Sequence, residues 1–287
     1  MLVACDRVLQ LRPGNALVYA RRAYALLGLH RFEESIAAYD QAIRFDPPGH
    51  VAYFINKGEA LAQLKRYEEA LAVLEQGICL SPDVAHIYGN KAYVLNELGR
   101  YEEALAACEE ILRLAPGDAL AWYGKGNALA ELSRHEEALA AYEQAIRCKS
   151  DAALVYNAKA NVLADLKRYE EASAAYKEAL RLDPGDAYTH ISVAATLFEL
   201  KRFDEALAAY EQAIHHDSGL VMAYTGKGAT LCALNRYEVN VFEQVVRLDP
   251  ESADAYYNKG IALEQLGRQR EARVAYKKAQ QLGNYYL

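Results

Sequence analysis

Apolar residues along the chain recur three and four apart in blocks of about a dozen, and short polar turns separate the blocks. The stretch AWYGKGNALAELSRHEEALAAYEQAIRCKSD (119–151) holds two such blocks with a basic turn between them, and this periodicity predicts two amphipathic helices. The same phrase reopens at Ala16, Val51, Ala85, Ala119, Ala153, Ala187, Val221 and Ala253. Successive openings lie 34 residues apart, except for 35 at the first step and 32 at the last. Counting from each opening, position 4 is aromatic (Tyr19, Phe54, Tyr88, Trp122, Tyr156, Tyr224, Tyr256), with His190 as the exception. Position 8 is Gly or Ala throughout, where two helices can approach closely, and position 20 is mostly Ala, as at Ala104 and Ala138. Glu pairs such as Glu68–Glu69 open the second helix, where carboxylates suit the N-terminal dipole. Proline at position 32 closes it, because proline cannot continue a helix.

An aromatic at 4, a small residue at 8, Ala at 20, an aromatic at 24 and Pro at 32, on a 34-residue period, resemble the tetratricopeptide repeat (TPR). The chain departs from that pattern in favouring Tyr over Trp at position 4 and Lys over Leu at position 7. The resemblance implies an all-α fold, an α-solenoid in which antiparallel helix pairs stack into a right-handed superhelix. It also implies that the first helix of each pair lines a concave groove. Residues 1–287 then read as one array: 1–15 is the second helix of a truncated repeat, and 16–286 are eight repeats. In the last repeat Arg273 and Gln280 replace apolar residues, the polar outer face that a terminal cap needs. Repeat seven is two residues short at RYEVNVFEQ (236–244), a phase shift of about 200° that a shortened loop or a lost first turn must absorb. A distorted second helix around Val239–Phe242 and an irregular stacking angle are expected there.

Charge sharpens this picture. Lys and Arg number 32 against 39 Asp and Glu, a net charge of −7, which argues against nucleic-acid binding through bulk positive charge. The N-terminus has no basic lead into an apolar run, and no apolar run reaches 18 residues, so neither a signal peptide nor a membrane span is expected. The five cysteines are dispersed without a C-x-x-C pair, which reads as reduced thiols in a cytoplasmic protein. They offer no zinc site. Tyrosine, at 22 against six phenylalanines, is overused, as when a few templates are copied many times.

Apparent catalytic motifs dissolve on inspection. Thr225-Gly226-Lys227-Gly228 lies inside a predicted helix rather than between a strand and a helix, so it is not a phosphate loop. His215 and His216 are adjacent and point apart, whereas ligands on one helix face are spaced by three or four. With no nucleophile–base pair in evidence, the reading is a non-enzyme without cofactor or metal.

Internal repetition separates scaffold from function: what recurs in every repeat serves the fold, and what varies is free to meet a partner. Lys at position 7 (Lys57, Lys91, Lys125, Lys159, Lys227, Lys259) and Arg at position 16 are scaffold by this rule. The Lys stem should be buried, with its ammonium reaching a carboxylate. Positions 2, 5, 6, 9, 12 and 13 share one helical face, opposite the packed positions 4, 8 and 11. That face carries Glu59, Glu97, Glu131, Asp165, Glu199, Asp254 and Glu264 against Arg21 alone, so nearly all the net charge sits on it. Glu97, Glu131, Asp165 and Glu199 share position 13 in four consecutive repeats. Asn56, Asn90, Asn127, Asn161 and Asn258 add amides able to donate to and accept from a peptide backbone. Tyr24, Tyr93, Tyr123, Tyr188 and Tyr257 add amphipathic contact area. The expected function is a protein-interaction scaffold that holds an extended, neutral-to-basic peptide in this acidic groove. The alternative is a regulatory or sensor segment of a larger enzyme or signalling protein. The carboxylate clamp of chaperone-binding TPR domains needs basic residues that no repeat supplies, which disfavours acidic chaperone tails. Nucleic acid and membrane are not expected partners.

Overall fold

A computed structural model describes residues 1–47, 49–148 and 153–283, and it contains seventeen α-helices among them. The chain divides into two compact units, Met1–Ser150 and Asp151–Leu287. The first holds α1 (Leu2–Leu11), α2 (Ala16–Gly28), α3 (Phe32–Phe45), α4 (Val51–Gln63), α5 (Tyr67–Leu80), α6 (Ala85–Glu97), α7 (Tyr101–Leu114), α8 (Ala119–Glu131) and α9 (His135–Arg147). The second holds α10 (Ala153–Asp165), α11 (Tyr169–Leu182), α12 (Ala187–Glu199), α13 (Phe203–His216), α14 (Val221–Ala233), α15 (Val239–Leu248), α16 (Ala253–Gln265) and α17 (Gln269–Leu282). Within each unit every helix packs on the next in sequence, which is the layout of an all-α solenoid. The eight openings read from the sequence are the first residues of α2, α4, α6, α8, α10, α12, α14 and α16.

One turn chemistry joins the two helices of every pair. Position 15 sits in the left-handed region, at φ 55–59° in His30, Lys65, Ser133, Lys167, Lys201 and Asn235 and at 70–75° in Gly99 and Gly267. This conformation lets the amide of the following Arg donate back to the carbonyl of a buried Leu at position 11, as in Arg66 N to Leu61 O at 2.9 Å and Arg202 N to Leu197 O at 2.9 Å. In every repeat but the seventh the same Arg is the N-cap of the second helix, and its guanidinium chelates the Glu three residues on. Arg31–Glu34, Arg66–Glu69, Arg100–Glu103 and Arg268–Glu271 show the pattern at 2.6–2.8 Å. Arg at position 16 is thus a device of the turn.

Side chains at positions 8 and 24 meet across each pair. A methyl group added at Gly126 would lie 2.4 Å from the Tyr142 ring, and one at Gly260 2.4 Å from Tyr276, so the small residue makes room for the aromatic. Lys at position 7 behaves as expected. Its half-buried stem carries the ammonium to an acid of the preceding repeat: Lys91 to Glu75 at 3.1 Å, Lys125 to Glu109 at 2.8 Å and Lys227 to Glu211 at 2.9 Å.

Repeat seven absorbs its deletion in a single place. α15 has 10 residues against 13 or 14 in the other second helices of the eight repeats, and Tyr237 and Glu238 lie outside it. Val239–Phe242 are regular helix, so the expected distortion at those residues is corrected to a missing first turn upstream of them. The physical reason is phase. Phe242 must still meet Gly228, where an added methyl would come within 2.6 Å of its ring, so the register is kept from Phe242 onward. Arg236 loses its position-19 partner and reaches only Glu238, at 3.5 Å.

Candidate functional site

In the Met1–Ser150 unit, cavities open among the described residues on the face formed by the first helices. One, of about 550 Å³, is lined by Val8, Arg21, Tyr24, Tyr39, Tyr53 and Asn56, among others. A second, of about 530 Å³, lies where α6, α7 and α8 meet and includes Tyr93, Asn96, Cys108, Tyr123 and Asn127. A third, of about 370 Å³, brings Tyr24 together with Glu59 and Gln63. The geometry therefore gathers Tyr24 with Asn56, and Tyr93 with Tyr123 and Asn127. It does so because positions 2, 5, 6, 9 and 12 of neighbouring first helices face the same way at 100° per residue.

The remaining sequence-selected residues are placed as follows. Glu97 and Glu131 are exposed on α6 and α8. Glu97 accepts a hydrogen bond from the Tyr67 hydroxyl at 2.8 Å, and that bond together with burial raises the Tyr67 phenol to about 12. Tyr101 is raised in the same direction, first by the charge of Glu131. In the Asp151–Leu287 unit, Asp165 and Glu199 are exposed at the ends of α10 and α12, and Tyr188 is exposed on α12. Asn258 and Tyr257 are half-buried on α16, with the Tyr257 ring 5.7 Å from that of Tyr276.

The asparagines are less free than their variation between repeats implies. Asn127 accepts from the Tyr142 hydroxyl at 2.9 Å, and Asn161 accepts from Tyr176 at 2.6 Å. Asn90 donates to the Ile55 carbonyl of the preceding first helix at 3.3 Å. Each spends part of its bonding capacity on the scaffold. Asn157, Thr189 and Asp186 form a further closed polar cluster on α10 and α12, with Asn157 donating to Thr189 and Thr189 to Asp186 at 2.5 Å.

Three features of this face escaped the selection made from sequence. Tyr39 is 1 % exposed, and burial raises its phenol to about 12 against the opposing pull of Asn56. Asn96 Oδ1 is buried without a partner. A signal for Asn96 exists, since position 12 is otherwise Leu, Ala, Phe or Cys except at Glu264. The Cys108 thiol lines the second cavity, and burial holds it up at about 11, so it remains a neutral, weakly nucleophilic wall atom. Among the described residues no group of three His, Cys, Asp or Glu side chains is arranged to hold a metal, and no helix is long and apolar enough to cross a membrane.

Comparison with known proteins bears on the whole chain. Models of the tetratricopeptide repeat match residues 20–84, 90–153, 123–187 and 239–286, and a second such model matches 61–111 and 163–238. No curated protein matches the chain. Among solved structures, a tetratricopeptide repeat protein from Parabacteroides merdae aligns over 90% of this chain and 98% of its own, at 17% identity and a TM-score of 0.66. YrrB, described as a TPR protein with an unusual peptide-binding site, aligns over 65% of this chain and 97% of its own, at 23% identity and a TM-score of 0.56. MamA aligns over 55% of this chain and 93% of its own, at 19% identity and a TM-score of 0.53. At these identities the likeness establishes the fold.

Proposed function

The chain belongs to the tetratricopeptide repeat family, and from that premise we propose that it is an interaction scaffold whose first-helix face holds an extended, neutral-to-basic peptide segment. The observation that carries this reading is a coincidence of shape and charge. The cavities of the Met1–Ser150 unit open on the face that bears the acids at positions 9 and 13, and Arg21 is the one basic side chain among the groove positions of the sequence. Two recurrent sets of basic side chains are spent on structure: Lys at position 7 and Arg at position 16 hold carboxylates of the scaffold. Exposed tyrosines at Tyr24, Tyr93 and Tyr188 add rigid amphipathic area of the kind that anchors interfaces. The description of YrrB as peptide-binding agrees with this use of the fold.

Titration of the chain with fluorescent extended peptides of net charge +3, 0 and −3 tests it. The +3 peptide should bind tightest and weaken as salt rises from 50 to 300 mM, because exposed charges are screened. Neutralising three acids of the Met1–Ser150 unit together (Glu59→Gln, Glu97→Gln, Glu131→Gln) should weaken it by about fivefold, at a few tenths of a kcal/mol for each exposed charge. Equal binding of all three peptides, insensitive to salt, would remove the charge basis of the reading.

A further inference from the structure

One stripe of α17 reverses a charge pattern that most other second helices keep. Positions 18, 21, 25 and 28 are spaced by three and four residues, so they share one helical face. In earlier repeats the acids of this stripe hold the repeat that follows. At position 18, Glu33 meets Arg66 at 3.1 Å and Glu68 meets Arg100 at 3.6 Å. At position 25, Glu75 meets Lys91 at 3.1 Å and Glu211 meets Lys227 at 2.9 Å. Between them position 21 supplies a buried Leu, as at Leu71, Leu105 and Leu207. α17 carries Arg270, Arg273, Lys277 and Gln280 at the four places, all exposed. Its acid, Glu271, is already engaged by Arg268 at 2.6 Å.

Solvation of an end face asks for less than this. Polar residues in place of the two apolar ones, at 273 and 280, suffice for it, and a carboxylate at position 18 or 25 is polar already. What changes beyond that is sign: α13 has Asp204 and Glu211 where α17 has Arg270 and Lys277. Repeat five shows that the sign at position 25 goes with the residue it faces. Its position 25 is Lys177, and position 7 of the next repeat is then Val193 rather than Lys. Arg270 and Lys277 also line a cavity of about 660 Å³ whose wall includes Tyr256, Leu263 and Val274. Cations beside an apolar hollow suit an amphipathic occupant.

We propose that this face docks an acidic amphipathic helix of a partner protein, lying along α17 as the first helix of a following repeat lies along an earlier second helix. Its carboxylates meet Arg270, Arg273 and Lys277, and an apolar side chain enters the cavity. Arg270 and Lys277 are two turns apart, about 10.5 Å, so the matching acids recur at i, i+3 and i+7. A second copy of this chain does not fit, because its repeats would bring Lys at position 7 and Arg at position 16 against Lys277 and Arg270. A nucleic-acid backbone would engage the cations and leave the hollow empty. The site is independent of the groove reading and opposite to it in charge preference.

Fluorescence anisotropy with the full chain tests the proposal. The probe is a labelled, hydrocarbon-stapled Ala-based helix with three Glu at i, i+3 and i+7 and a Leu at i+4. Its controls are an isomer with the same Glu spread around the helix and a twin with Lys in place of Glu. The Glu-striped helix should bind about tenfold tighter than either control and weaken as salt rises. Arg270→Glu with Lys277→Glu, which restores the acids of the other repeats, should weaken it by about tenfold, and Arg270→Gln with Lys277→Gln by about threefold. The second pair keeps the test valid should the first misfold. The groove variant Glu59→Gln, Glu97→Gln, Glu131→Gln should leave binding unchanged. Absence of saturable binding, equal binding of the isomer, or affinity unchanged in both α17 variants would overturn the assignment. So would an oligonucleotide that competes as well as the Glu-striped helix, since the face would then read negative charge alone.

Discussion

Gly77 lies on α5 where an added methyl would come within 2.4 Å of Ile87 Cδ1 and 2.8 Å of Phe54 Cβ. Ile87 is fully buried, and a Cβ atom cannot rotate away, so neither neighbour yields cheaply. Ala would improve helix propensity by about 1 kcal/mol, yet overpacking costs about 1–3 kcal/mol. Gly77→Ala should therefore lower stability in urea unfolding, and a rise would show that the α4–α5–α6 contact is looser than described. A second residue-scale device is the Arg–Glu chelate of every turn but the seventh. Hydrogen bonding to Arg holds Glu34, Glu69, Glu103, Glu137, Glu171, Glu205 and Glu271 below the ordinary 4.5. A carboxylate whose folded pKa is depressed stabilises the fold fully above its unfolded value, and that contribution is lost as pH falls through the folded pKa. The Tm difference between wild type and Glu103→Gln should thus be present at pH 6 and vanish on acidification below about 4.5. A difference that persists at pH 2 would exclude this origin. Residue chemistry was partly legible. One use of the ring at position 4 is not given by periodicity: Tyr88 donates to the Pro82 carbonyl and Trp122 to that of Pro116, both at 3.0 Å. His190 bonds the Pro184 carbonyl through Nε2 at 3.0 Å, so its imidazole keeps that contact, while Phe54 fills the same position without it.

At the scale of helices, the 34-residue period located the first helices well, because the left-handed turn and the Leu at position 11 recur with it. Repeat seven was legible as a deficit but not as a place. Removing two residues leaves several loop and helix-end solutions of similar cost, and the phase of Phe242 against Gly228 decides among them only once the pair is packed. Inserting Glu-Ala after Glu238 restores a Glu three residues beyond Arg236, as in the other repeats. The insertion should extend α15 by a turn, slow amide hydrogen exchange at 237–240 and raise the Tm. Unchanged exchange there would mean that the short helix is fixed by its neighbours rather than by its length.

Over the whole molecule, the charge pattern of the first-helix face was visible in the sequence, because a net charge concentrated at repeat positions needs only counting. The internal use of Asn127 and Asn161 was not, since their tyrosine partners lie 15 residues away on the opposite helix and only packing brings them together. The same holds for the cavities, which arise between helices rather than along one. The central claim is that binding takes place on the first-helix face. Photo-crosslinking tests it directly: a net +3 extended peptide bearing a central benzoylphenylalanine is irradiated with the chain, and the adducts are mapped by mass spectrometry. The account predicts adducts at groove positions of the first helices, such as Tyr93 and Tyr123. Adducts confined to the second helices α3, α5, α7 and α9 would contradict it.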